Sequence, residues 1–491
     1  MISKRINFRS IIILFASFIG LELISFLVFK TAIFLMTSFL IVSLLVLIIS
    51  IYRIKWGLFL ILLELIVGSK GYLLFWPISD SNLLSIRIVI WSIFMLVFAI
   101  KLVWQIKSLK KDSPYLLNIK NFPLLKPYLY LAGTLVLGLV SALIYQNNIL
   151  NIFLDFNNWL YFLLIFPLIA IKPSRKDLSN ILMIGAIWLS LKTIILLAIF
   201  SHNTFTLPVY EWLRKTLVGE MTMLEGGWNR IFIQSQSFVA IAYLFLLAKS
   251  HSLSLSLKKI NAYNYLLVII GGLFFSTIVL SLSRSFWLGL VFSTLALLVV
   301  IALKFGYKNL IRPFTFVFLS VVIGLAFILI ALPGETQSQL DNQLANRVTG
   351  QDEAAIGSRW SLLRPLLSEI IKNPVTGQGF GATVTYISQD PRVLEEDSSG
   401  VYTTYAFEWG YLDIWLKIGA IGLIAYLYLL WLIIRKSYIL GRDTNDNFYF
   451  AIFASILFLV VVHFFTPYLN HPLGIGFIVA SSCLIYKNKV Y

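Results

Sequence analysis

The chain has 491 residues, of which 59% are hydrophobic and 12% charged. That composition excludes a soluble globular protein and fits a polytopic membrane protein. The formal net charge of +17 does not point to nucleic acid, because the basic residues gather in short segments between apolar runs, as the positive-inside rule requires.

Met1 to Ser10 is basic and leads into an apolar run without a small-residue cleavage site, which predicts a retained first helix rather than a removed signal peptide. Runs of about 20 apolar residues predict about fourteen spans. They lie near 11–29, 32–52, 57–76, 83–104, 127–146, 157–172, 178–200, 231–249, 264–282, 286–304, 313–332, 406–433, 448–466 and 472–486. The fold expected is all-α and polytopic, with a membrane bundle over 1–333, a large, partly helical loop over 334–405 and the last membrane helices over 406–491. Every even-numbered connection is basic, from Lys4 and Arg5 through Arg53, Lys55, Lys110, Lys111, Arg175, Lys258, Lys259, Lys308 and Arg435 to Lys487 and Lys489. Both termini are then cytoplasmic. Two outer loops are long: Ser201 to Arg230, whose TLPVYEWLRKTLVGEM reads as an interfacial helix, and Gly334 to Tyr405. Loops of that length usually have a function. The single Cys483 lies in a terminal apolar run, which leaves no disulfide framework and no Cys-based metal site. His202, His251 and His463 show no ligand spacing, so neither a metal nor a cofactor is expected.

The stretch from Gly357 to Gly422 carries the strongest pattern. Trp360, Leu363, Leu367 and Ile370 fall at helical spacing. Asn373-Pro374 stops that helix, and Gly377-Gln378-Gly379-Phe380-Gly381 reads as a flexible turn. It is not a nucleotide loop, since it lacks the G-x-G-x-x-G spacing and follows a helix. A membrane helix containing Asp413 and Lys417 comes next, with Glu408 at its start.

The run Ser358-Arg359, Asn373-Pro374, Gly377-x-Gly379-x-Gly381, Tyr411-Leu412 and Gly419-x-x-Gly422 resembles the bacterial O-antigen ligase and Wzy-type polysaccharide polymerase superfamily. Ser283-Arg284-Ser285 is similar to another element of it. The resemblance covers topology over most of the chain and motifs only in its second half. It implies glycosyl transfer at the outer face of a bacterial inner membrane, from a glycan on undecaprenyl diphosphate. Partners would be that lipid-linked oligosaccharide, the bilayer and other polysaccharide-assembly membrane proteins. The acceptor is a second lipid-linked repeat unit in a polymerase and lipid A-core in a ligase. Ligases of the family carry a His-Asn pair eleven residues before the first Gly of the helix; here that position is Glu408-Trp409. A lipid-linked glycan transporter is a third reading, but no inverted repeat supports it.

Basic residues on the outer side run against the charge rule. Arg230 opens the eighth span, Arg284 closes the ninth, Arg359 and Arg364 lie in the large loop, and Arg87 sits just inside the fourth. Guanidinium binds phosphate bidentately and keeps its charge in apolar surroundings. By the resemblance, Arg230, Arg284 and Arg359 hold the diphosphate leaving group. Each Arg can equally snorkel to lipid phosphate or pair with an acid. Glu408 can take a proton from a sugar hydroxyl, or serve only as an acid at a helix N-terminus. Asp413 and Lys417, four apart, read as an ion pair or as groups handling substrate or protons. His471, beside Asn470 and Pro472, either replaces the missing His in space or is simply interfacial. Glu64, Lys70 and Lys192 line a polar cavity or pair with one another or with Arg87.

Overall fold

The computed structural model describes residues 8–78, 83–109, 114–223, 229–252, 262–333, 354–444 and 446–486. Residues 334–353 of the large loop lie outside them, as do Lys4, Arg5, Lys110, Lys111, Lys258, Lys259, Lys487 and Lys489. The first stretch runs α1 (Phe8–Val28), α2 (Ala32–Tyr52), α3 (Ile54–Val67), β1 (Phe75–Pro77), β2 (Leu83–Ser85), α4 (Ile86–Leu109), α5 (Pro114–Lys120) and α6 (Leu125–Ile144). Then come α7 (Ile149–Phe156), a 3-10 turn (Asn157–Leu164), α8 (Ile165–Ile171), α9 (Arg175–Ser201), α10 (Thr206–Thr216), β3 (Glu220–Met223), β4 (Asn229–Phe232) and α11 (Ser237–Ser250). The remainder is α12 (Ala262–Leu280), α13 (Arg284–Phe305), α14 (Ile311–Ala331), α15 (Ala354–Lys372), β5 (Val384–Ile387), α16 (Pro391–Glu396), β6 (Val401–Thr404), α17 (Gly410–Thr444), α18 (Asn447–Val462) and α19 (Pro472–Tyr486).

This is an all-α polytopic membrane protein. Among the described residues nine helices are long and apolar enough to cross a membrane, and Ile12–Val28, Asn447–Val462 and Pro472–Tyr486 are shorter apolar helices. Among the described residues six strands form three antiparallel hairpins and no larger sheet. Helix starts follow local chemistry. Ser174 and Asp177 form a capping box at α9, and the Asn148 side chain accepts from the Leu150 and Asn151 amides at α7. Helix α2 shows what a lipid-facing helix looks like: only Leu35, Phe39, Ser43, Val46 and Ser50 are buried, a narrow stripe at three- and four-residue spacing.

Three expected spans come out differently. The spans near 57–76 and 231–249 hold only short helices. Helices α3 and α11 have 14 residues each, about 21 Å at 1.5 Å per residue, against a hydrocarbon layer of about 30 Å. Beyond α3 the chain turns through Gly68–Gly71 into the β1–β2 hairpin, and before α11 it runs through the β3–β4 hairpin. The run near 157–172 begins earlier, at Ile149, and holds a 3-10 segment.

The chain divides into two compact units, Met1–Leu117 with Pro167–Gln343, and Asn118–Phe166 with Leu344–Tyr491. In the first, helices α12 and α14 pack closely: Gly271 and Gly272 face Phe316, Ser320 and Ile323, and Gly324 faces the Gly272 carbonyl. In the second, α17 packs along α6 and α18. There α15, the β5–β6 hairpin and the start of α17 share a small core of Leu362, Leu366, Ile370, Ala382, Val384, Phe407 and Leu416. The buried stripe of α15 is therefore Ser358, Leu362, Leu366 and Ile370 rather than the expected Trp360, Leu363, Leu367 and Ile370. Trp360 is 61% exposed.

Candidate active site

In the first unit several charged residues of the apolar stretches form ion pairs. Arg87 Nε donates to Glu64 Oε2 at 2.7 Å, with both side chains buried where α3 ends. Gly71 makes room for that Arg side chain, since a Cβ there would lie 2.9 Å from Arg87 Cβ. Lys192 pairs with Glu22 at 2.6 Å, and Trp212 of α10 donates to Ser25 beside them at 2.9 Å. Lys70 pairs with Glu220 of β3 at 2.9 Å. Of the expected pairings only Glu64–Arg87 forms; Lys70 and Lys192 pair instead with Glu220 and Glu22, which were not among the expected partners. A lone charge at mid-membrane costs ~2.5–3.5 kcal/mol on insertion scales.

Arg230 does not open a helix. It lies on β4 opposite Thr222, and its Nε donates to the Ser281 carbonyl at 3.0 Å. Ser281 belongs to the turn after α12, where Leu282 takes a left-handed φ of 46°. Arg284 is then the first residue of α13 rather than the close of the preceding helix. Its neighbours Ser283 and Ser285 are buried, with hydroxyls 3.0 Å apart. One turn thus ties Arg230 to the segment carrying Arg284.

In the second unit, Arg359 of α15 forms an ion pair with Glu408, and the Trp409 indole donates to the Arg359 carbonyl at 3.0 Å. The Trp360 and Trp409 rings meet edge-on, centroids 5.6 Å apart. Glu408 precedes α17 instead of lying in it, since the helix begins at Gly410. The guanidinium and the carboxylate side chains are 35% and 54% exposed, open to a ligand. Arg364, one turn further along α15, is exposed.

The predicted Asp413–Lys417 pair is present at 2.6 Å, and it is larger than expected. Lys417 also pairs with Asp155 of α7 at 2.7 Å, and Asn470 donates to Asp413. All four residues are buried. Asp155 was missed because the span was expected to start at 157; a lone carboxylate within ILNIFLDFNNWLYFLLIF was the signal. His471 caps α19, its Nδ1 accepting from the Leu473 amide at 3.3 Å, next to the Asn470 that serves Asp413.

The glycine run is a locked bracket, not a flexible turn. The Gln378 amide donates to the Leu416 carbonyl at 2.7 Å, and Gly379 to Lys417 at 3.1 Å. The Gly381 amide donates to Asp155 Oδ2 at 3.0 Å. Asn147 holds the Gln378 and Phe380 carbonyls at 3.0 and 2.9 Å. Gly379 has φ +86°, and a Cβ on it would fall on the Ala142 backbone. Across the contact, Gly419 breaks α17 at φ +68°, where a Cβ would fall on the Val375 carbonyl. Both positions admit only glycine, by conformation and by space.

These are the residues that carried the motif pattern. Residues 269–427 match a family model described as O-antigen ligase. That stretch belongs to the O-antigen ligase and Wzy-type polymerase superfamily. It contains Arg284, Arg359, Glu408, Asp413, Lys417 and the whole glycine bracket, while Arg87, Arg230, Asp155 and His471 lie outside it. No curated protein matches the chain. The match supports a glycosyl-transferring enzyme acting on lipid-linked glycans in a membrane, and among the described residues nine helices are long and apolar enough to cross one.

Proposed function

We propose that the protein is a polysaccharide polymerase of the Wzy type, elongating glycans carried on undecaprenyl diphosphate at the outer face of a bacterial inner membrane. The observation that carries this reading is the Arg359–Glu408 pair, held by Trp409 in the stretch that matches the family. It sets a permanent cation and a carboxylate side by side at the mouth of a membrane helix. Arg359 would hold the diphosphate and stabilise it as leaving group, and the resemblance implies the same role for Arg230 and Arg284. Glu408 would accept the proton of the acceptor hydroxyl. The hydroxyl oxygen attacks the anomeric carbon as the bond to diphosphate breaks, which inverts that centre. Arginine charge on the diphosphate is what would spare the reaction a metal ion. Both termini would be cytoplasmic, since the even-numbered connections are basic.

Polymerase is favoured over ligase because Glu408-Trp409 stands where ligases carry His-Asn. The test is turnover of purified protein with lipid-linked repeat units. Glu408→Gln keeps the shape and removes the basicity, and should cost about 10²–10⁴-fold in kcat, the size of a general-base contribution. Turnover within a few-fold of wild type would remove Glu408 from the role and make His471 the next candidate. Surface glycan from a deletion strain separates the acceptors: single repeat units mean a lost polymerase, and free polymer without lipid A-core means a lost ligase.

A further inference from the structure

Helix α15 places a large aromatic where burial does not require one. Its outward residues Trp360, Arg364, Ser368 and Lys372 recur every four positions and are all exposed. Trp360 heads a polar stripe rather than an apolar one. Its ring meets Trp409, whose own ring is 6.0 Å from Phe465. Tyr386 of β5 packs against the same small core, with its ring 6.0 Å from Tyr402. Burial pushes the Tyr386 phenol above its ordinary range, partly offset by its hydrogen bond with Ser388. The paired guanidinium and carboxylate thus have the Trp360 and Trp409 indoles beside them, and Tyr386 packs against the same core as Trp409.

That combination is the chemistry that recognises a sugar. The axial C–H edge of a pyranose is weakly positive and suits the negative face of an aromatic ring. Its hydroxyls need nearby charged hydrogen-bonding groups, which Arg359, Glu408 and Arg364 supply. We propose that Trp360, Trp409 and Tyr386 form a pyranose-binding subsite beside the Arg359–Glu408 pair, with Arg364 receiving the next sugar along α15. This rests on the glycosyl-transfer reading only for the identity of the glycan. Trp360 stacks on the ring nearest the reacting hydroxyl and sets which hydroxyl reaches Glu408.

The test uses the full chain in nanodiscs of phosphatidylethanolamine and phosphatidylglycerol. The probe is the glycan released by mild acid from the host's lipid-linked repeat units, which carries neither diphosphate nor lipid. Saturation-transfer NMR and tryptophan fluorescence should show binding to wild type. Trp360→Ala should weaken it about three- to tenfold, the range of a single aromatic contact, while Trp360→Phe retains most of it. Arg364→Ser should weaken binding of a two-repeat glycan more than of one repeat. Equal affinity of Trp360→Ala and wild type overturns the proposal, as does wild type that binds no glycan. Quenching of Trp360 by brominated lipid, unrelieved by glycan, also overturns it and makes Trp360 a membrane anchor. A wild type that binds the glycan yet transfers none upholds the subsite and defeats the polymerase reading instead.

Discussion

Lys417 should be the most costly charge in the chain to remove. It sits between Asp155 at 2.7 Å and Asp413 at 2.6 Å, and all three side chains are buried. Lys417→Met leaves two carboxylates facing each other with no cation between them. Breaking a buried pair by deleting one partner costs about 3–5 kcal/mol, and here a single deletion breaks two pairs. Asp155→Asn leaves the Lys417–Asp413 pair intact, and its remaining carbonyl oxygen can still accept from Gly381. It should cost well under half as much. The triple variant Asp155→Asn/Lys417→Met/Asp413→Asn removes every charge and should recover most of the loss, because an apolar or neutral replacement of a buried ionic cluster is often nearly neutral. Urea unfolding in detergent, followed by tryptophan fluorescence, gives the four free energies. A Lys417→Met cost below about 1 kcal/mol, or one equal to that of Asp155→Asn, would refute a three-charge cluster organised around the lysine.

Arg284→Ala should abolish glycan transfer while the protein still inserts, and Arg284→Lys should keep part of the activity because a point charge lacks the bidentate fork; surface-glycan length read on a gel decides it. Gly379→Ala should lower the amount of folded protein severely, since its Cβ meets the Ala142 backbone, whereas Gly133→Ala, with open space around it, should not; detergent-resistant yield measures both. Glu369 lies on α15 outside the membrane segments; burial pushes its carboxyl up, but hydrogen bonds from Lys372 and Gln378 and the Lys372 charge outweigh that and hold it low. A carboxyl held below its unfolded value adds stability at neutral pH and loses it as pH falls through the native value. Wild type should therefore lose stability more steeply than Glu369→Gln as pH drops below the usual carboxylate range, as melting temperature against pH will show.

Apolar run length carried most of the fold into view, because a membrane span must satisfy its own backbone and therefore writes itself as about 20 apolar residues. The same rule misled at 57–76 and 231–249. There the chain stays apolar while the backbone leaves the helix, and the freed groups are satisfied by hairpins and by side chains such as Gln236, which accepts from the Ile233 amide at 3.1 Å and donates to the Ile231 carbonyl at 3.3 Å. The Asp413–Lys417 pair was legible because both partners lie on one helix. Asp155 comes from a segment more than 250 residues earlier, and nothing local announces such a partner. Trp360 falls at helical spacing with Leu363, Leu367 and Ile370, but the hairpin β5–β6 covers the neighbouring stripe instead, and the indole is left outside.

The glycine motif acts on the Arg359–Glu408 pair without touching it. In an unbroken helix the Ala420 and Ile421 amides would donate to the Leu416 and Lys417 carbonyls. Here the Ala420 amide goes to Pro374 at 2.9 Å and Ile421 to Val375 at 3.4 Å, while the Gln378 and Gly379 amides take the two vacated carbonyls. Four backbone bonds are thus exchanged between α17 and the loop that leaves α15, and Gly419 is the residue whose conformation permits the exchange. Arg359 stands on the helix that enters this bracket, and Glu408 stands just before the helix that the bracket breaks. The Asp155 carboxylate ties both ends down through the Gly381 amide and the Lys417 ammonium. The bracket thus joins the two segments that carry cation and carboxylate, alongside the Trp409–Arg359 hydrogen bond and the core that α15 shares with the start of α17. A displacement of 1 Å at reacting groups can cost about a hundredfold in rate, so substitutions in the bracket should reduce turnover even where the protein still folds and still binds glycan.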